Sequence, residues 1–277
     1  MDQTSLKGSE TVSYPIASQE AKIILITPSR ITKLLFSIVG FLLVAHLIGV
    51  WLVNMFENGP LRWLAKMFHK RFNLVNEMNF PSFFSATILF FAAVLLFLIY
   101  KLKSRENEKR YKNHWLILSL FFLFLCFDEF ASIHEELMPP MSTRFSGYFS
   151  EWLPYGWVVP YSILALVIVI LFLKFVFSLP VKTRNLILLS GAIYVLAAVG
   201  CEIIEGYYFK VDGENSFYIK LFIIIEEIME MVGIAIFIYA LLDYIVASYP
   251  KLTICLNKTR NAEGSSLVFD KYNDTSQ

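Results

Sequence analysis

Acidic side chains stand inside apolar sequence at three places. Residues 123–137 read LFLCFDEFASIHEEL, residues 201–206 read CEIIEG and residues 225–231 read IEEIMEM. An ionisable group within a bilayer is expensive and by default marks a functional site. Carboxylates projected inward from several helices, helped by one or two histidines, are one way in which helical bundles hold divalent metals. Rows of protonatable carboxylates also make proton and cation pathways. The candidate ligands are Asp128, Glu202, Glu226, Glu227 and Glu230, with His46 or His134 completing the shell. Glu129, Ser132, Glu135 and Glu205 are candidate supporting or entry groups, and Glu136 extends the first acidic stretch.

The elements that must carry these groups are transmembrane helices. Of 277 residues, 57% are hydrophobic and 16% aromatic, and the mean hydropathy is +0.59, all above ordinary soluble usage. Several apolar runs reach the length of about 20 residues that crosses a bilayer as a helix. The expected fold class is all-α, a polytopic bundle of six transmembrane helices. Their expected bounds are about 31–55, 82–102, 114–138, 155–177, 185–209 and 217–246, each set by the extent of its apolar run. Residues 60–72 alternate Leu61, Trp63, Leu64, Met67 and Phe68 with Arg62, Lys66, Lys70 and Arg71, the pattern of an amphipathic helix lying in the interface. Residues 1–29 are expected to be a polar tail, and residues 250–277 a disordered one. The first apolar run is too long for a signal-peptide core, so no cleaved targeting segment is expected.

Charge sets the orientation. Seventeen Lys and Arg fall on the side of the two termini and the second and fourth loops, against seven on the other side, which places both termini in the cytoplasm. The basic 60–72 segment alone pulls the other way. The net charge of +1 and the absence of a recognition motif point away from nucleic acid. Cys126, Cys201 and Cys255 have no paired spacing, so neither a disulfide framework nor a zinc ribbon follows. The partner that the composition demands is the lipid bilayer, with a homo-oligomer compatible with it.

On this topology the three acidic stretches converge. At 1.5 Å per residue, Asp128, Glu202, Glu226, Glu230 and His46 all lie roughly 9–18 Å below the outer ends of their helices. At about 100° per residue, Asp128, Glu129, Ser132, Glu135 and Glu136 share an arc of about 120°, and Glu226, Glu227 and Glu230 share about 100°. Glu202 and Glu205, three apart, are neighbours on one face. Lipid-facing acidic stripes are disfavoured, so the three should face one another. Nine carboxylates are then gathered with no Lys or Arg inside the apolar cores at that depth. Protons or a bound cation must offset the charge.

The sharper expectation is a divalent metal site, for iron, manganese or zinc, able to act on a lipid or other apolar substrate entering sideways. The arrangement is similar in kind to carboxylate-bridged di-iron and di-manganese bundles, although Glu202-x-x-Glu205 and Glu227-x-x-Glu230 stand where those proteins carry Glu-x-x-His. Ser132, His134 and Asp128 bring to mind intramembrane zinc hydrolases of the ceramidase-like group. That pattern needs a late His-x-x-x-His pair, and no histidine follows His134. The alternative is a proton- or cation-coupled transporter using the same acids. Its one sequence hint is the doubled acid that ends each three-helix half, Asp128-Glu129 and Glu226-Glu227. The plainer expectations are that Glu135, Glu136 and Glu205 are hydrated near the interface, and that Ser132 caps its own helix. Cys126 and Cys201 are expected as packing residues, and Gly191, Gly200, Gly206 and Gly233 as points of close helix approach.

Overall fold

A computed structural model describes residues 27–106, 110–132, 158–213 and 215–250; His134, Glu135, Glu136 and all but residues 27–29 and 250 of the two expected tails lie outside them. Within the described residues the chain is all-helical, with no strand. The elements are α1 (Pro28–Met55), α2 (Arg62–Phe72), α3 (Phe80–Lys103), α4 (Lys112–Ala131), α5 (Val158–Phe177), α6 (Val181–Val195), a π-helical segment (Leu196–Cys201), α7 (Glu202–Asp212) and α8 (Phe217–Ser248). The helix from Val181 to Asp212 is continuous through the π segment. Together with α1, α3 and α4 it makes four described helices long and apolar enough to cross a membrane.

Local chemistry fixes several of the boundaries. Pro28 opens α1, where the missing N–H costs nothing. The Asn79 side chain accepts the Ser82 N–H at 3.2 Å to cap α3, and the Ser216 hydroxyl accepts the Tyr218 N–H at 3.2 Å to cap α8. At the other end of α4, Ser132 adopts a left-handed conformation (φ 52°) and returns its N–H to the Asp128 carbonyl. The α-helix therefore closes at Ala131, one turn past Asp128. Ser132 is thus not on the helical arc with Asp128 and Glu129, while Glu135 and Glu136 lie outside the described residues.

The bundle is organised around α8, which packs on α1, α3, α6, the π segment and α7. From Met231 to Ile245 its residues are buried almost all round, as a central helix requires, with Met231, Ala235, Ile238, Ala240 and Leu241 fully enclosed. Aromatic contacts tie its neighbours to it: Phe122 of α4 stacks on Phe237 at 4.7 Å, and Trp115 of α4 on Tyr244 at 5.2 Å. α3 runs along α4, where the buried Ser119 hydroxyl donates to the Ala93 carbonyl at 2.8 Å.

One end of the bundle is clasped by polar links. Tyr249, just past α8, donates its hydroxyl to Glu106 at 2.5 Å, and Lys182 at the start of α6 pairs with Asp243 of α8 at 2.6 Å. Burial, reinforced by the hydrogen bond to Glu106, raises the Tyr249 hydroxyl well above its ordinary pKa, so it stays a donor. Counted from this end at 1.5 Å per residue, Asp128, Glu202, Glu226 and Glu230 lie roughly 24–33 Å away along their helices. The acids therefore occupy the opposite half.

Candidate metal centre

The site grows from a close contact between α6 and α8. A Cβ placed on Gly233 would lie 3.2 Å from the Ser190 carbonyl oxygen and 3.4 Å from the Tyr194 nitrogen. Only a residue without a side chain lets the two backbones approach this far. Of the other glycines expected to serve such contacts, Gly191 and Gly200 face open space, so close approach is not their role. The Gly233 contact sets the register of two helices that run in opposite directions. Moving away from it, α6 offers Tyr194 and then Glu202 and Glu205, while α8 offers Glu230 and then Glu227 and Glu226.

The π segment re-aims the acids of α7. A π turn accommodates one residue more than an α turn. In an unbroken α-helix Tyr194 and Glu202, eight apart, would diverge by about 80°; one additional residue in the wide turn brings them to within about 20°. Glu202 is accordingly buried, at 8% exposure, instead of facing lipid, and Glu205 beside it is buried at 5%.

Three carboxylates meet as a result. One oxygen each from Glu202, Glu205 and Glu226 lies within 4.8 Å of the other two, the first two buried and the third half-buried. The Glu205 and Glu226 carboxyls are hydrogen-bonded to each other. One oxygen of Glu205, Oε1, is buried with no hydrogen-bond partner among the described residues. Separations up to 4.8 Å fit ligands on opposite sides of a cation with metal–oxygen distances of about 2.3–2.6 Å, and smaller ones fit adjacent positions.

The remaining acids surround this trio. The Tyr194 side chain interacts electrostatically with Glu230, Glu129, Asp128 and Glu227. Acids from α4 and α8 are thus within electrostatic reach of one residue of α6. Glu230 also interacts with Glu226, which joins the two groups into one acidic region between α4, α6–α7 and α8. Cys201, buried at the end of the π segment, interacts with Glu205, Glu230 and Glu202. Asp128 and Ser132 are buried, and Glu129, Glu227 and Glu230 half-buried. At the end of the site nearer the α7–α8 turn, Tyr208 stacks on Tyr218 at 4.6 Å and lies beside Phe222.

His46 has a different setting. It is buried in α1, its Nδ1 accepts the Leu74 N–H at 3.1 Å, and its ring lies 5.9 Å from that of His69 in α2. With one ring nitrogen holding the loop after α2, it is not among the groups brought together with Glu202, Glu205 and Glu226. His134, Glu135 and Glu136 lie outside the described residues. Two features of the site carry no motif. The Leu196–Cys201 segment reads LAAVGC, an ordinary run of small apolar residues, and Tyr194 is a single polar aromatic in an apolar stretch.

Fold and site together define an all-helical protein with membrane-length apolar helices and a carboxylate cluster within the bundle, three members of which are placed to hold a metal ion. The chain belongs to the family described as Domain of unknown function (DUF8692), whose model matches residues 35–245 and so takes in every helix that contributes to the cluster. No curated protein and no solved structure matches the chain.

Proposed function

We propose that this is a six-span membrane protein that binds a divalent cation at Glu202, Glu205 and Glu226. Asp128, Glu129, Glu227 and Glu230 extend the site around the Tyr194 hydroxyl. The observation that carries the proposal is the trio itself: three carboxylate oxygens from two helices within 4.8 Å, one partner carboxyl having a buried oxygen with no hydrogen bond among the described residues. Like charges so close in a site removed from water require neutralisation. No Lys or Arg occurs in residues 115–132, 185–209 or 221–248, the apolar stretches around the acids. A hard divalent ion supplies the charge and the coordination together. With oxygen donors and no histidine in the trio, manganese, magnesium, calcium or ferrous iron suits the site better than zinc. Both termini lie on the cytoplasmic side, which puts the acidic half toward the outer face. A metal-bound water there would be the reactive group for an apolar substrate entering from the bilayer, the enzyme form of this function.

A second function uses the same residues. Glu205 and Glu226 share a hydrogen bond, and Glu230 interacts electrostatically with both Glu226 and Tyr194, a grouping of protonatable side chains such as proton and cation pathways contain. Elemental analysis of detergent-purified full-length protein, paired with proton-flux measurements in liposomes, separates the two. Near-stoichiometric metal that is lost on Glu202→Gln supports the cation site. Metal-free protein that moves protons, and stops doing so on the same substitution, establishes transport in its place.

A further inference from the structure

A second feature stands apart from the carboxylates. Where α1 ends and α2 begins, a cavity of about 420 Å³ is lined by Leu52, Phe56, Leu64, Met67 and Phe68, with Arg71 as its one charged lining residue. That volume lies within the range of about 300–1,000 Å³ typical of small-molecule sites. Its walls are held in place. A Cβ on Gly49 would lie 3.1 Å from the His69 Cα, so α2 sits directly on the α1 backbone. Phe72 packs edge-on against Phe41 at 6.0 Å and beside Phe80 at 5.0 Å, and the Leu74 N–H is held by His46 at 3.1 Å. The groove is therefore built into the fold and does not depend on a loosely attached surface helix.

Charge identifies the occupant. Arg62, Lys66, Lys70 and Arg71 are all exposed on α2, against the acids Glu57 and Glu77 on its flanks, leaving the segment cationic. His69 adds nothing to this: burial lowers its pKa below the ordinary value, so it stays neutral near pH 7. Beside the cations, Trp63 and Met67 are 66% and 50% exposed, as side chains facing lipid would be. An apolar slot with Arg71 in its wall, on a helix whose four cations are exposed, matches one amphiphile: an acyl chain in the slot and an anionic phosphate reached by the Arg71 guanidinium. We infer that the α1–α2 groove binds an anionic phospholipid. A lipid of this charge also offers a reason for four cations on the side that the count of Lys and Arg makes the outer one.

The test is native mass spectrometry of the full-length protein in mild detergent, with equal amounts of phosphatidylglycerol and phosphatidylcholine. The expected result is roughly fivefold preferential retention of phosphatidylglycerol, lost in Arg71→Gln, since one cation near a charged membrane surface contributes about that factor. Met67→Trp, which fills the slot and leaves every charge in place, lowers retention of both lipids and tests the acyl-chain site if Arg71→Gln fails to fold. Equal retention of the two lipids by the unaltered protein overturns the inference, as does a preference that survives Arg71→Gln. Displacement of the lipid by inorganic phosphate alone would show a simple anion site instead. A dimer that separates on Met67→Trp would show that a second copy of the chain fills the groove.

Discussion

Substituting Glu226 by glutamine should weaken metal binding and stabilise the metal-free protein at the same time. The two effects have one origin. Two carboxylates 4.8 Å apart, the widest separation in the trio, repel by about 3.5 kcal/mol at an effective dielectric constant near 20. Glu226 takes part in two of the three pairs, so about 7 kcal/mol of repulsion in a fully ionised, metal-free trio involves it. A proton can relieve that strain instead, and protonating an ordinary glutamate at pH 7 costs about 3.7 kcal/mol, which caps what the substitution can return. The expected gain for the metal-free protein is therefore about 2–4 kcal/mol, a large share of typical net stability. Losing one charged ligand should at the same time weaken the metal by well over tenfold, since even supporting residues are worth 10–100-fold. The assay is thermal unfolding in detergent, with and without a chelator and with added manganese, alongside metal content. The unaltered protein should melt lower after chelation and recover with manganese. Glu226→Gln should ignore both and melt at or above the chelated parent. A parent whose melting does not respond to chelator or manganese, and which carries no metal, refutes the cation site and leaves protons as the neutralising charge.

Gly233→Ala forces a Cβ to within 3.2 Å of the Ser190 carbonyl, so melting should fall by an amount equivalent to about 1–3 kcal/mol, and bound metal should fall with it. Gly191→Ala, facing open space, should instead hold or raise the melting point through its gain of up to about 1 kcal/mol in helix propensity. Tyr249→Phe removes the hydroxyl that Glu106 accepts and should cost about 1 kcal/mol in unfolding, with metal content unchanged because the clasp lies at the far end of the bundle. Burial lowers the pKa of His69, so the unfolded chain takes its proton first as the solution is acidified. The stability contributed by neutral His69 is complete above its ordinary value of 6.5 and is lost as pH falls from there through the lowered folded value. His69→Asn should flatten the fall in melting temperature across that window; an unchanged slope would show that another group sets it.

The helical class and the membrane-length helices were legible because they rest on composition and on runs of apolar residues, which no tertiary contact can override in a bilayer. The gathering of acids was legible in outline for the same reason: a lipid-facing carboxylate is so unfavourable that each acidic face must turn inward. Which acids meet was not legible, because that depends on register, and register changed at two places without a sequence signal. At Ser132 the chain leaves the helix in a left-handed turn, so the helical face counted from Asp128 ends there among the described residues. At Leu196–Cys201 a π turn rotates everything beyond it by about one residue, or about 100°. On the straight-helix count Glu205, not Glu202, follows Tyr194 on its face, to within about 20°. After the π turn Glu202 comes under Tyr194, while Glu205 remains buried beside Glu226. Glu205, expected as a hydrated rim group, is instead one of the most enclosed acids, at 5% exposure, because it packs against Glu226 of α8. A π segment is sparsely populated because its backbone bonding is poorer than that of an α-helix, and such segments recur at functional sites. Here it separates Tyr194, which meets the acids of α4 and α8, from Glu202 and Glu205, which meet Glu226. Removing one residue from Leu196–Cys201 would restore an α-helical path with Tyr194 and Glu202 seven apart, again within about 20°, so that deletion should leave Glu202 on the same face. The irregular turn is therefore what lets Glu202 share the face of Tyr194 at a spacing of eight residues.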